Sequence, residues 1–194
     1  ARVGKPRVAY REAITKTQRG TGSVDRTIGG KDVYARITVE ASPAQAGGEV
    51  ITFDPGCDLG EKWRAGLESA LLQEAGVGPR FGFPLDGVAV RVLGVESRET
   101  SESEAGYGLA GISALREALS GADVVVQEPL MRFSIEVPGE FSSGVIADLN
   151  TRLAEIDTVV AEGEMTQIGG CVPLSAMFGY STAVRSLSQG RADF

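Results

Sequence analysis

The sequence predicts an α+β protein of two consecutive domains, and three observations support that class. Runs of alternating apolar and polar residues, typical of strands, dominate the first 53 residues. Apolar residues then recur every four positions, which is typical of an amphipathic helix. The last third of the chain shows the order strand, helix, strand, strand, helix, strand. We place the boundary near residues 124–128, which gives domains 1–127 and 128–194.

Three strands are predicted early in the first domain, at Val8–Ile14, Val33–Glu40 and Glu49–Phe53, because apolar and polar residues alternate there. Gly20–Gly30 contains four glycines among threonine, serine and aspartate, a composition typical of a loop. Together these segments predict an antiparallel meander whose first two strands are joined by a long glycine-rich loop.

Two helices and a further strand complete the predicted first domain. Cys57–Ala75 has a helical apolar stripe that ends before a glycine. The residues of that stripe are Leu59, Trp63, Leu67, Leu71 and Ala75. Val88–Val95 predicts a strand, and Ser101–Ser120 predicts a helix in its C-terminal part. Three glycines weaken the N-terminal part of that helix, because each costs about 1 kcal/mol relative to alanine.

The second domain has the βαββαβ order of a ferredoxin-like fold. Its predicted strands and helices are Leu130–Val137, Phe141–Leu153, Thr158–Met165, Gln167–Pro173, Ala176–Leu187 and Arg191–Phe194. The chain stops within the last of these strands and does not begin with methionine. We therefore expect a fragment of a longer protein that lacks most of its last strand.

Composition excludes several kinds of active site. The chain has no histidine, which excludes Ser-His-Asp and Cys-His catalysis and any zinc site that needs imidazole. Cys57 and Cys171 are too few for a structural zinc site and do not form a disulfide framework, which fits a reducing cytoplasm. No phosphate-binding or dinucleotide-binding glycine motif is present. We predict no catalytic residue and no metal site in this chain.

An acidic cluster gives no clearer indication of chemistry. It consists of Glu96, Glu99, Glu102 and Glu104. These residues lie in a predicted loop and at a helix start, where carboxylates interact favourably with the helix dipole. We interpret them as solvated acids, with metal binding or acid–base work as the alternative. The sequence also has no apolar run long enough to cross a membrane and no leader, so we expect a cytoplasmic protein.

Charge is distributed unevenly along the chain. Residues 1–36 carry nine lysines and arginines against three acids, a net charge of +6, whereas the whole chain carries −7. This is compatible with phosphate contacts on one face, or with a solvated charged hairpin. Gly29 and Gly30 precede Lys31 near the end of the basic segment. Such a glycine pair allows close approach of a ligand to the backbone, although glycine pairs usually only form turns.

Four blocks, in order, resemble a known family. They are VGKPRVAYREAI (Val3–Ile14), QEP followed by Leu130–Val137, GVIADLNTRLAEI (Gly144–Ile156) and CVPLSAMFGYSTAVRSLSQGRADF (Cys171–Phe194). Through these blocks, essentially the whole chain resembles the fourth and fifth domains of bacterial elongation factor G, the translocation GTPase of the ribosome.

The resemblance implies a fold and a role for each domain. The first domain would have the fold of a ribosomal-protein family with a left-handed β-α-β crossover, an exception to the right-handed rule. In the family this domain is a non-catalytic lever whose tip contacts ribosomal RNA and the tRNA–mRNA duplex at the decoding site. The second domain lies near the GTPase-associated centre of the large subunit. GTP and magnesium would belong only to a G domain that is absent from this chain.

Two segments resemble the loops at the tip of the family's fourth domain. The first loop reads like SGGRGQYGHV in the family, and the matching segment is Ile28–Ile37, IGGKDVYARI. The positions that keep their residue type or charge are Gly29, Gly30, Lys31 and Tyr34. Asp32 and Arg36 depart from the family pattern.

The second loop departs further from the family. It usually reads like DGSYHDVDSSE, and the matching segment is Gly94–Glu104, GVESRETSESE. Arg98 stands in place of the tip histidine, and Glu99 stands in place of the following aspartate. Arginine is always charged and binds phosphate through two donors, so this exchange should change RNA contacts rather than the fold.

We expect two RNA-contacting tip loops, Gly29–Asp32 and Glu96–Glu99, with phosphate contacts from Lys31 and Arg98. The alternatives are tip variation without consequence, a specialised paralogue in ribosome recycling or another ribosome-bound role, and a free-standing interaction module. The predicted contact residues are Gly29, Gly30, Lys31, Asp32, Ser97, Arg98 and Glu99.

Overall fold

The computed structural model describes residues 7–45, 48–98 and 100–194. It divides into two compact units, Tyr10–Gln127 and Glu128–Phe194, with residues 7–9 assigned to the second. Both units combine helices with sheets, which confirms the predicted α+β class. Among the described residues, no helix is long and apolar enough to span a membrane.

The first unit is a four-stranded sheet with two helices and a small two-stranded sheet. Its elements are β1 (Arg11–Ile14), β2 (Gln18–Ile28), β3 (Lys31–Pro43), β4 (Ile51–Phe53), α1 (Glu61–Ala75), β5 (Val88–Ser97), α2 (Glu104–Ser120) and β6 (Val124–Gln127). The large sheet has the order β2-β3-β5-β4, and the small sheet pairs β1 with β6. β4 runs parallel to β5, so β4, α1 and β5 form a β-α-β unit, whereas the other pairs are antiparallel.

The core of this unit lies between one face of the large sheet and the two helices. Alternate residues of β3, among them Ile37 and Val39, are fully buried there. Leu67 and Leu71 of α1 are buried in the same cluster, as the predicted stripe requires. The helix begins at Glu61, however, so Cys57 and Leu59 precede it, contrary to the prediction. The side chains of β3 that point the other way are half-buried or exposed. One face of the sheet is therefore packed against helices while the other is polar.

The predicted meander with a long glycine-rich loop is wrong. Most of Gly20–Gly30 belongs to β2, which pairs with β3 along its full length. The reason is close packing against α2. A Cβ at Gly22 would lie 2.1 Å from the carbonyl oxygen of Ala110, and a Cβ at Gly20 would lie 2.2 Å from that of Ala114. These two glycines allow a strand to approach a helix closely, and they do not mark a turn.

Helix α2 is continuous where its glycines predict weakness. Gly106 and Gly111 are buried, and an added Cβ would lie 2.4 Å from a side-chain carbon of Val33 and of Leu67 respectively. The buried face of this helix is rich in glycine and alanine. Contacts with neighbouring elements therefore offset the low helix propensity of glycine.

A buried carboxylate anchors the connection between α1 and β5. Glu12 is fully buried, and its side chain accepts hydrogen bonds from the backbone N–H groups of Arg80 (2.9 Å), Phe81 (2.8 Å) and Phe83 (3.1 Å). Burial alone would raise the pKa of Glu12, but these backbone donors together outweigh it and lower the pKa below its ordinary value. Glu12 is therefore held as a carboxylate at neutral pH.

The second unit has a three-stranded sheet covered on one face by two helices. Its elements are β7 (Leu130–Pro138), α3 (Gly139–Thr151), β8 (Glu155–Glu162), β9 (Met165–Pro173), a 3₁₀ turn (Leu174–Met177) and α4 (Tyr180–Leu187). The strand order β7-β9-β8 is that of the ferredoxin-like pattern. The predicted last strand is present as a single bridge between Asp193 and Glu136 on the outer edge of β7. The predicted helix at 176–187 is interrupted at Gly179, whose φ is 76°.

Candidate nucleic-acid interface

The first predicted tip loop is a tight two-residue hairpin turn. Ile28 pairs with Lys31, so only Gly29 and Gly30 lie between β2 and β3. Their φ angles are 59° and 80°, both in the left-handed region, as a type I′ turn requires. A Cβ on either glycine would have no described neighbour within 4 Å. The left-handed backbone conformation therefore explains why both positions are glycine, since neighbouring atoms would leave room for a side chain.

The hairpin projects beyond the rest of the sheet. β5 ends at Ser97, which pairs with Ala35, so the part of β3 from Lys31 to Tyr34 has only β2 beside it among the described strands. At about 3.3 Å per residue, this part extends about 13 Å past the end of β5. Its base still packs against α2, because Val33 is buried beside Gly106. Thr27 and Asp32 face each other near its end, and the Thr27 hydroxyl donates a 2.8 Å hydrogen bond to the Asp32 carboxylate.

Arg98 folds back onto this hairpin. Its guanidinium lies 4.1 Å from the centroid of the Tyr34 ring, and a terminal nitrogen is 3.6 Å from a carboxylate oxygen of Asp25. Asp25 and Tyr34 are cross-strand partners on β2 and β3. The contact therefore joins the second tip loop to the two strands of the hairpin through one cation–π interaction and one ion pair. The side chains of Arg98 and Asp25 are more than half exposed, so the ion pair itself is weak.

Two hydrogen bonds within the chain also stabilise the second tip loop and the start of α2. The N–H of Ser101 donates to the carbonyl of Arg98 at 2.8 Å, which ties the segment before α2 to the end of β5. Tyr107 is buried, and its hydroxyl donates to the carboxylate of Glu102 at 3.2 Å. Burial is the main cause that raises the pKa of Tyr107; Ser97 opposes it, and the Glu102 charge adds to it. Tyr107 therefore remains a neutral hydrogen-bond donor at physiological pH.

The charges at the hairpin end are mixed. Arg26 and Lys31 are exposed, and neither forms an ion pair within the described parts of the chain. Arg98 is paired with Asp25, and Asp32 already accepts from Thr27. The cations at the hairpin end that are most available to an external phosphate are therefore Arg26 and Lys31.

Another exposed cation lies nearer the body of the sheet. Arg36 is on β3, and its cross-strand partner on β5 is the exposed carboxylate Glu96. A carboxylate beside Arg36 weakens its attraction for phosphate. The projecting part of the hairpin thus has fewer available positive charges than the basic segment 1–36 suggests.

The structure places the predicted site residues in two groups. The hairpin end contains Gly29–Asp32, and Ser97 and Arg98 form the start of the second loop. Glu99 lies outside the described residues.

Two residues at the tip are absent from the sequence prediction. They are Asp25, the partner of Arg98, and Arg26, an exposed cation on β2. Asp25 and Arg98 are far apart along the chain, which leaves no local signal for their contact. Arg26 is part of the basic segment, and only the strand pairing puts it near the hairpin end.

No metal-binding arrangement occurs within residues 7–45, 48–98 and 100–194. Glu96, Glu102 and Glu104 are all exposed. Glu102 accepts from Tyr107, and Glu104 begins α2.

Two family models match consecutive parts of the chain. Residues 6–123 match the model described as "Elongation factor G, domain IV", and residues 125–194 match "Elongation factor G C-terminus". A crystal structure of a Thermus thermophilus protein is similar over 98% of this chain and 29% of its own, with a TM-score of 0.84 and 26% sequence identity. The similarity therefore covers the fold of both units.

Curated relatives give the same result. "Elongation factor G 2" of Desulfotalea psychrophila is 34% identical, and the elongation factor G proteins of Fervidobacterium nodosum and Thermotoga maritima are each 35% identical. Each alignment covers all of this chain, which spans 28% of the length of each relative. The resemblance carried by the four sequence blocks is confirmed. This chain belongs to the elongation factor G family and corresponds to its domain IV and C-terminal regions.

Proposed function

We propose that the chain is the non-catalytic arm of a translation GTPase and contacts RNA on the ribosome through its projecting hairpin. The observation that carries the proposal is the hairpin itself. Two strands extend about 13 Å past the end of β5, join in a tight turn and present two exposed cations, Arg26 and Lys31. Family membership supports the ribosome as the partner and translation as the process.

In this proposal the tip acts by position and charge. Arg26 and Lys31 attract phosphates of ribosomal RNA, or of the tRNA–mRNA duplex at the decoding site, without reading base sequence. Arg98 keeps the second loop against the hairpin, because its guanidinium already contacts Tyr34 and Asp25. Arg26 and Lys31 therefore provide most of the attraction for phosphate. Arg98 contributes less, through the part of its guanidinium that remains exposed.

The other parts of the proposal concern the parent protein. We infer a cytoplasmic GTPase whose G domain would hold GTP and magnesium, and whose C-terminal unit would lie near the GTPase-associated centre. Support comes from relatives of which this chain spans 28%. Nucleotide chemistry would belong to the remaining part of such a protein. The arm would support translocation by occupying space next to the tRNA.

Sedimentation with ribosomes tests the tip. The chain is mixed with purified 70S ribosomes at low salt, and the bound fraction is compared for Arg26→Glu, Lys31→Glu and Lys62→Glu. We expect the first two variants to bind less, whereas Lys62→Glu, which reverses an exposed charge on α1, binds like the unaltered chain. Each lost phosphate contact also lowers the slope of log affinity against log salt by about 0.7–0.9. Equal binding by all four proteins would contradict the tip assignment.

A second candidate function, favoured by the tip sequence, is that of a parent protein with a specialised role on the ribosome. Arg98 stands where the resemblance places a histidine, and it is tied to Asp25 and Tyr34. A parent protein of this kind would act in ribosome recycling or in another ribosome-bound step. Translocation and subunit-splitting assays of the complete parent protein separate the two roles. If the parent protein supports translocation at the rate of a housekeeping elongation factor, the specialised role is excluded.

A further inference from the structure

An open groove runs between strand β4 and helix α1, at the edge of the sheet opposite the hairpin strand β2. It has a volume of about 680 Å³. Its apolar wall includes Val50 (41% exposed), Leu72 (45% exposed) and the half-buried Phe53. β4 is the last strand in the order β2-β3-β5-β4, so the groove has a strand edge on one side and a helix on the other.

The backbone of β4 has hydrogen-bonding groups beside this groove that no other described residue pairs with. The carbonyl of Val50 accepts from the N–H of Val90 at 2.7 Å, and the N–H of Asp54 donates to the carbonyl of Val92 at 2.9 Å. Bonding directions alternate along a strand of a parallel pair, so the N–H and C=O groups of Ile51 and of Phe53 point away from β5. Among the described residues, none pairs with these groups. They recur every two residues, as an added strand requires.

Arg64 lies beside the same groove with a polar atom left unpaired. Its guanidinium carbon is 4.5 Å from the centroid of the Phe53 ring, and its Nε is buried without a hydrogen-bond partner among the described residues. Nε is enclosed, so an incoming group would meet the terminal nitrogens of the guanidinium, which form no ion pair among the described residues. A carboxylate is the acceptor that suits them best. One end of the groove therefore fits an acidic side chain.

The remaining charges disfavour a polyanion more strongly than a peptide with one acidic residue. Glu49 and Glu68 also line the groove, so its net charge is negative despite Arg64. A nucleic-acid backbone would place phosphates beside these two carboxylates, which repel it. A polypeptide strand can instead place a carboxylate at Arg64, apolar side chains between Val50 and Leu72, and an uncharged or basic residue near the acids.

We propose that this groove binds an extended segment of a partner protein, which adds as a strand to the free edge of β4 and places an acidic side chain against Arg64. Strand addition gives affinity through main-chain hydrogen bonds, while the groove selects alternate side chains. The groove lies on different elements from the projecting hairpin. The first unit thereby has a second surface, which recognises protein instead of RNA.

Peptide binding to the whole chain tests the proposal. The probes are two fluorescein-labelled peptides of seven residues that alternate valine and threonine and differ only in a central glutamate or lysine. Fluorescence anisotropy measures affinity, and amide hydrogen exchange of Ile51 and Phe53 reports strand addition. We expect the glutamate peptide to bind and to slow exchange at both amides. The lysine peptide should bind about tenfold more weakly, in line with the loss of one charge-assisted contact.

Substitutions of a charged residue and of an apolar residue test whether the peptides bind in this groove. Arg64→Gln should weaken binding of the glutamate peptide about tenfold, and Lys62→Gln, on the same helix but outside the groove, should leave it unchanged. Leu72→Asp provides an independent test because Leu72 is exposed, so the fold tolerates a change there, and it should also weaken binding. No protection of Ile51 and Phe53, equal affinity of both peptides, or displacement by an oligouridylate would each overturn the proposal.

Discussion

Replacement of Glu12 by glutamine should destabilise the first unit strongly although the two side chains have nearly the same volume. The Oε1 atom accepts from the N–H groups of Phe81 and Phe83, and Oε2 accepts from that of Arg80. A carboxamide has only one oxygen, so at least one backbone N–H would face an NH₂ group. Loss of a charge-assisted bond, together with an unsatisfied buried donor, costs about 3 kcal/mol, which lowers Tm by about 10 °C.

The effect should depend on pH in a defined direction. The pKa of Glu12 is lowered in the folded state, so the carboxylate stabilises the fold fully above the unfolded-state pKa. That stabilisation is lost as pH falls through the lower, folded-state pKa. The difference between the original chain and Glu12→Gln is therefore largest near neutral pH and shrinks in acid, where protonated Glu12 resembles glutamine.

Urea unfolding followed by tryptophan fluorescence measures this effect, because the only tryptophan, Trp63, lies in the same unit. Glu68→Gln is the matched control, since Glu68 is an exposed carboxylate on α1. It should change the free energy of unfolding by less than about 0.5 kcal/mol. A loss below about 1 kcal/mol for Glu12→Gln, or a loss that is the same in acid and at neutral pH, would refute the assignment of Glu12 as a buried anchor.

Three further predictions concern the hairpin and its packing. Gly22→Ala should destabilise the first unit by about 2 kcal/mol or more in urea unfolding, because the added Cβ meets helix backbone, whereas Ser23→Ala on the exposed side should be nearly neutral. Gly30→Val should cost about 1–2 kcal/mol, because its φ of 80° strains a branched side chain, and it should speed amide exchange in the turn. Asp25→Asn should release Arg98 for phosphate and raise ribosome affinity about twofold at low salt; unchanged or weaker sedimentation would contradict the pairing.

Periodicity predicts the elements whose surroundings repeat regularly along the chain. The stripe of α1 keeps to one side of the helix and packs chiefly against α2, so an apolar residue recurs on each turn and the helix is recognisable from sequence. The element order of the second unit is also predictable, because most of its strands and helices keep a clear period of apolar residues. The sequence blocks that resemble a family predict the role of each domain, which apolar periodicity alone does not indicate.

Local patterns mispredict the places where distant contacts override local preference. Gly20 and Gly22 have the composition of a loop, but their lack of a side chain is what lets β2 approach α2. β4 has only three residues, and its parallel partner β5 lies beyond a helix, so nothing local indicates that pairing. The resemblance alone assigns Arg98 to phosphate, whereas its contact with Asp25 depends on the completed sheet. Such long-range contacts appear only when all levels of structure are combined.

The most direct test of RNA contact by the hairpin is photo-crosslinking from its end. A photoreactive residue replaces Lys31 in the chain, the protein is bound to 70S ribosomes at low salt, and the crosslinked RNA positions are mapped by primer extension. A second chain with the same group at Lys62, on α1, is the control. We expect crosslinks from position 31 to small-subunit RNA or tRNA of the decoding region, and a different pattern or none from position 62. No crosslinks from position 31 while the chain is bound would contradict RNA contact by the hairpin. Crosslinks only to large-subunit RNA would contradict its placement at the decoding region.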